Sequence, residues 1–258
     1  MKRRLWLCCF VYAFTATCLG QEKPAKVEPQ QGGELLLGVG VLVKNEPYKG
    51  VSDKIYPLPF YVYRGQRWSL QGTRFDYNIL DINDCSLNTI LRFRTEGFDA
   101  DDSSDLDGMS DRDASLDAGL GLSVSGEWGA LNVDLLTDAL GKHKGQEFKL
   151  TYAKSLESPF GIAKTRLRPF FGTSWRSSGL NDYYYGVRLS EARPGRLAYD
   201  SGDSTNVFAG ITLDYQLSDR WNLFLMFRNE WLGSEITDSP IVDQHHTNSF
   251  IAGLMYRF

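Results

Sequence analysis

Between Asn206 and Leu217 the chain keeps a period of two. Val207, Ala209, Ile211, Leu213, Tyr215 and Leu217 are apolar, and Asn206, Gly210, Thr212, Asp214 and Gln216 interleave with them. Successive side chains leave a β-strand on opposite sides, so this repeat describes a strand with one apolar face. Leu116, Ala118, Leu120, Leu122 and Val124 repeat it against Asp117, Gly119, Gly121, Ser123 and Ser125. Shorter runs fall at 35–43, 87–93, 131–135, 148–152 and 167–171, and the last is Phe250, Ala252, Leu254, Tyr256 and Phe258. From Glu34 onward no segment shows the period of an amphipathic helix. The fold class is all-β.

Alternation fits two architectures. In a soluble sandwich the apolar face packs on a second sheet. In a membrane barrel it meets lipid, while the polar face lines the interior. A mean hydropathy of −0.31 excludes a bundle of membrane helices, whose repeated apolar runs would raise it. Three features decide for the barrel. Tyr61, Tyr63, Trp68, Trp128, Trp175, Trp221 and Trp231 gather at strand ends, where interfacial girdles lie. Short connections (64–67, 126–129, 218–220) alternate with long ones (95–113, 178–205, 233–247), as periplasmic turns and extracellular loops do. The sequence ends on Phe258, inside a strand whose outward residues Phe250, Tyr256 and Phe258 form the expected assembly signal.

The expectation is a closed antiparallel transmembrane β-barrel of twelve strands. Their spans are 34–44, 54–64, 67–72, 74–81, 85–97, 113–126, 129–138, 146–156, 164–178, 203–217, 220–231 and 247–258. Fusing the two short strands within 67–81 into their neighbours would give ten. The number is even because both ends face the periplasm, and closure satisfies every backbone group in lipid.

Ahead of the barrel, Lys2, Arg3 and Arg4 precede an apolar stretch from Leu5 to Cys18, and a polar run starts at Gln21. This is the form of a secretory signal peptide over 1–20, with a lipoprotein signal at Cys18 as the alternative. Residues 21–33 read as a flexible periplasmic tail, and the barrel occupies 34–258. The mature chain keeps only Cys85, which allows no internal disulfide. A net charge of −4, more negative once the three leading cations leave, argues against nucleic acid as a partner.

With the barrel in hand, the chain resembles the MipA/OmpV family over nearly all of its mature length. The resemblance is carried by Gly38–Gly40, by Tyr56-Pro57-Leu58-Pro59 before Phe60-Tyr61, and by Leu106-Asp107-Gly108-Met109. Tyr183-Tyr184-Tyr185-Gly186-Val187 before Glu191-Ala192, Asp238-Ser239-Pro240-Ile241-Val242 and the terminal Tyr256-Arg257-Phe258 complete it. It implies a protein of the cell outer membrane, and with the residues above the expectation is a monomeric, non-enzymatic barrel. Some members are envelope scaffolds linking a lytic transglycosylase to a penicillin-binding protein, and others are surface antigens or adhesins. A small-solute channel is the alternative function. Lipid, lipopolysaccharide and the barrel insertion machinery are the remaining expected partners. The family assigns no catalytic residue, metal or cofactor.

Four constellations invite chemistry. Seven aspartates between Asp99 and Asp113 resemble a calcium loop, but an EF-hand register places Ser103 first and Ala114 last, where carboxylates are needed. A solvated acidic loop is the simpler reading. Asp243 beside His245, with Ser239 or Ser249, offers the elements of a hydrolase without an oriented base. Tyr183, Tyr184 and Tyr185 form an interfacial aromatic cluster or a stacking platform at the barrel mouth. Arg92, Arg94, Arg166, Arg168, Arg176 and Arg228 fall in strands with Asp117, Asp134 and Asp214. They either fill the lumen as ion pairs or line a selective pore.

Overall fold

A computed structural model describes residues 33–258. The expected signal segment 1–20 and the tail up to residue 32 lie outside the described residues. In chain order the strands are β1 Glu34–Lys44, β2 Lys54–Arg64, β3 Trp68–Gln71, β4 Arg74–Ile82, β5 Cys85–Arg94 and β6 Ser115–Gly126. They continue with β7 Gly129–Asp138, β8 Gln146–Ala153, β9 Leu156–Glu157, β10 Thr165–Arg176, β11 Ser204–Gln216, β12 Trp221–Trp231 and β13 His246–Arg257. All pairings are antiparallel. β1 pairs with both β2 and β13, and β10 joins β8 to β11, so the sheet closes on itself. Twelve strands form the wall, and β9 is a two-residue ladder on the foot of β10. Residues 67–81 do hold two strands, which gives twelve rather than ten.

Register fixes the faces. In β1, Leu37 and Val39 point outward (41 % and 72 % exposed), while Leu36 is buried inside. Ile55, Leu135, Phe171, Val207, Phe227 and Leu254 continue the outer apolar surface. Aromatic pairs ring the rim of short turns: Tyr63 stacks on Trp68 at 4.0 Å, Trp128 on Tyr152 at 6.1 Å, and Trp221 meets Tyr256 edge-on at 5.2 Å. Turn chemistry is local. Asn83 (φ 53°) and Gly72 (φ 54°) each open a two-residue hairpin that needs a left-handed residue. Inside, Gly40 and Gly253 face the ring of Phe60, which occupies the space a Cβ would fill.

The long loops are more ordered than alternation could foretell. Residues 178–205 contain an eight-residue helix, Ser178–Tyr185, and Ser234–Thr237 forms a single helical turn. Helices of four and eight residues are too short to leave a periodic signal. Tyr48, Phe98, Leu106, Met109, Leu180, Tyr184, Tyr185, Val187, Ile236, Ile241 and Val242 pack into one buried cluster. These residues come from four loops, so the loops share a core of their own above the barrel. Each fully buried aliphatic side chain there contributes about 1.5–3 kcal/mol of transfer free energy.

Candidate functional site

Beneath the loop core, the polar faces of β5, β6, β8, β10 and β12 converge on one chain of charges. Asp117, 1 % exposed, accepts hydrogen bonds from Arg92 Nη2 at 2.8 Å and from Arg94 Nε and Nη2 at 3.0 and 2.7 Å. His143 Nε2 lies 3.0 Å from the other Asp117 oxygen, while the backbone N–H of Gly145 donates to its Nδ1. That leaves the proton on Nε2, pointing at the carboxylate. Glu147 bridges Arg92 and Arg94 and accepts from Ser174 Oγ at 2.6 Å. Glu96 spans Arg94 and Arg176, and Glu230 spans Arg176 and Arg228. Buried pairs of this kind add little net stability, but they lock the strands that carry them and are costly to break singly.

The expected pairing of lumen arginines with aspartates is therefore realised at Arg92, Arg94 and Asp117. Asp134 pairs with Arg74 at 2.6 Å, and Asp214 makes no ion pair among the described residues. Arg166 pairs with Glu157, and Arg168 has no carboxylate within 4.0 Å among those residues. The acids that complete the network, Glu96, Glu147 and Glu230, were not singled out from sequence. Two of them were accessible to the period-two argument: Glu147 shares a face with Lys149 and Thr151, and Glu230 follows Arg228 by two.

The ion pairs do not fill the whole interior. On the side of β1, β2, β12 and β13 the lumen carries an apolar patch: Leu36, Val62 and Met255 are buried together, and Phe60 and Phe224, whose rings lie 5.9 Å apart, pack against them. A cavity of about 960 Å³ lies against this wall.

Tyr183, Tyr184 and Tyr185 sit in the loop helix rather than in an outward girdle. Tyr184 and Tyr185 are 0 % and 4 % exposed within the loop core, and Tyr183 packs edge-on against Tyr184 at 4.8 Å. Their apolar rings satisfy the loops instead of meeting lipid. The acidic loop is pinned as well. Arg193 and Arg196 donate to the carbonyls of Ser104, Asp105 and Asp107. Arg112 grips Glu191 in a bidentate pair at 3.1 and 2.8 Å. Burial raises the Glu191 carboxyl pKa, but Arg112 and the N–H groups of Ser110 and Arg188 outweigh it and hold it at about 2. Ser239 donates to the Tyr185 carbonyl at 2.6 Å, a packing bond, and Ser249 faces the lumen opposite Lys44. Phe250 points outward at 41 % exposure. Tyr256 and Phe258 touch edge-on at 5.0 Å on the short-turn rim, where the N–H of Phe258 donates to the Leu35 carbonyl.

One short-side connection departs from the others. Between β8 and β10 the chain takes eleven residues, Lys154–Lys164, and projects Phe160 at 92 % and Ile162 at 53 % exposure. Ser158, Phe160 and Lys164 all hold positive φ (49°, 57° and 61°). Left-handed backbone at a bulky residue is rare and costs of order 1–3 kcal/mol, so the surrounding fold has to impose it.

A closed twelve-stranded barrel with an apolar belt, an aromatic rim, short turns at one end and capped loops at the other is an outer-membrane β-barrel. Residues 37–258 match the MltA-interacting protein MipA family, and the chain belongs to it. It is 29 % identical over 229 residues to the MltA-interacting protein of Escherichia coli (strain K12), covering 88 % of this chain and 91 % of that protein. To outer membrane protein OmpV of Vibrio cholerae it is 33 % identical over 206 residues, 78 % of this chain and 77 % of the relative. A solved outer membrane channel from Pseudomonas putida F1 aligns with a TM-score of 0.44 at 12 % identity, over 92 % of this chain and 99 % of that one.

Proposed function

We propose that this chain is a non-enzymatic envelope scaffold that docks a lytic transglycosylase, and through it a penicillin-binding protein, on the periplasmic rim of its barrel. The observation that carries the reading is the projecting turn of residues 154–164. Its exposed Phe160 and Ile162 follow Pro159 on either side of Gly161, on backbone held in a strained shape. A rigid aromatic anchor beside an aliphatic one is the composition of a protein-binding hot spot. The name of the Escherichia coli relative, MltA-interacting protein, supports the same partner class. The loop core over the outer mouth speaks against an open solute pore as the main role.

Phe160→Glu should weaken capture of the purified transglycosylase by the full-length barrel about 30-fold, the roughly 2 kcal/mol expected of a hot-spot residue. Leu197→Glu, on an exposed outer loop at 75 % exposure, should leave binding unchanged. Biolayer interferometry in detergent measures both. Equal affinity of Phe160→Glu and wild type would remove the turn from the interface.

A further inference from the structure

The barrel closes, but the seam between β2 and β3 is short. β3 pairs with β2 only at Val62, Tyr63 and Arg64, and the last contact is the Gly72 N–H with the Tyr61 carbonyl at 3.4 Å. On this side residues 54–61 of β2 therefore have no strand partner, an edge of roughly 25 Å at the usual rise per residue. The cause is the β3–β4 hairpin. It turns at Gly72 and Thr73 on the long-loop side, where the neighbouring strands continue upward into loops.

An open edge in lipid leaves unpaired backbone groups, which is costly. The sequence limits that cost. Backbone groups alternate sides along a strand, and the Tyr61 carbonyl faces the gap, so the groups of residues 57 and 59 face it too. Both are prolines, which have no N–H to leave unsatisfied. Above the gap, Lys54 Nζ pairs with Asp102 at 2.7 Å, and Tyr48 meets Phe98 edge-on at 4.7 Å, forming a lintel. Gly72 and Thr73 form the sill, where a Cβ on Gly72 would meet nothing within 4 Å.

Two cavities meet at this sill. The lumen cavity reaches Gly72, Thr73, Thr95 and Gly97 and includes the outward-facing Pro59 and Tyr61. A second pit of about 280 Å³ lies on the lipid face among Tyr61, Leu70, Phe75, Leu91, Phe93 and Leu116, and shares Gly72 and Thr73. Its wall is apolar throughout apart from Thr73 and the Tyr61 hydroxyl. The two cavities thus share Tyr61, Gly72 and Thr73 at the gap, one on the lipid face and the other reaching the apolar lumen residues Leu58, Phe60, Phe224 and Met226. The far end of the cavity reaches Glu34, Arg64 and Arg257 at the short-turn rim.

We infer that this gap is a lateral portal through which a single-chain aliphatic carboxylate passes between the outer leaflet and the lumen. A volume of about 960 Å³ stands at the upper end of small-molecule sites and suits one acyl chain with its head, not a two-chain lipid. The cavity is lined by eight Lys and Arg side chains against six Asp and Glu, which favours an anionic head. The loop core packs at the outer end of the lumen, where Tyr48 and Tyr185 also line the cavity, which favours the side route for a chain entering from the membrane. This inference is independent of the docking turn at residues 154–164.

The test uses the full-length barrel in liposomes containing a diazirine-bearing palmitic acid, with labelled residues mapped by mass spectrometry after irradiation. Labelling is expected at Phe60, Phe224 and Met226 inside, as well as on outward residues such as Leu135. Thr73→Trp, which fills the sill, should cut lumen labelling at least fivefold and leave Leu135 unchanged. Met226→Trp, remote from the gap, should cut lumen labelling while the pit residue Leu91 stays labelled. The methyl ester of the probe should label the lumen less than the free acid. Wild-type labelling confined to the outer face would overturn the proposal. Lumen labelling that Thr73→Trp leaves intact would overturn the lateral route, and equal labelling by acid and ester would overturn the carboxylate.

Discussion

Asp117→Ala is expected to destabilise the folded barrel by about 3–5 kcal/mol, the typical result of removing one partner from a buried ion pair. Asp117 receives Arg92 and Arg94 and the His143 ring, and all of its partners are buried or nearly so. Its removal leaves two guanidinium groups facing each other with Glu147 as their main remaining anion. Asp117→Asn keeps a hydrogen-bond acceptor and should cost less. Asp219→Ala, on an exposed turn, should stay within about 0.5 kcal/mol of wild type. Urea unfolding in detergent, followed by tryptophan emission, gives the three values. A loss at Asp117 no larger than that at Asp219 would mean that the ion chain does not tie the strands together.

The second large effect concerns assembly. We propose that Phe250, Tyr256 and Phe258, the outward aromatics of the last strand, are the residues the insertion machinery reads. Phe258→Ala removes a side chain worth about 1.5–3 kcal/mol when buried in lipid. Pairing of β13 with β1 and β12 persists without it, so the equilibrium loss is modest. The expected change is kinetic: the heat-modifiable, membrane-embedded fraction falls and degradation rises at unchanged synthesis. Quantitative gel shifts after a pulse of expression measure it. Unchanged assembly of a Phe250→Ala/Phe258→Ala double variant would sink the proposal.

How much of this was legible in the sequence follows from the range of each interaction. Alternation reports which face of a strand is apolar, so the wall, its twelve strands and the lumen position of Arg92, Arg94 and Asp117 could all be read. Closure requires only that these strands pair in order. The loops could not be read in this way. Tyr184 and Tyr185 look like membrane girdle residues because an aromatic run beside a strand has the same local composition in either setting. What buries them is Leu106, Ile236 and Ile241, which arrive from loops far away in the chain. Arg112 and Glu191 are likewise 79 residues apart, and nothing local announces the pair. The gap beside β2 was present in the sequence as Pro57 and Pro59, and its meaning depended on where the β3–β4 hairpin stops.

The scaffold and portal both require one orientation: the packed loops outside, and the short turns with the projecting Phe160 in the periplasm. In a Cys85→Ala background, intact cells are treated with a membrane-impermeant maleimide after Ser104→Cys, Ser218→Cys or Ser158→Cys is introduced singly. Ser104 and Ser218 are exposed on opposite rims, and Ser158 lies in the projecting turn. The account predicts labelling of Ser104→Cys alone, with the other two reacting only after the outer membrane is permeabilised. Labelling of Ser218→Cys and Ser158→Cys in intact cells, with Ser104→Cys protected, would contradict it.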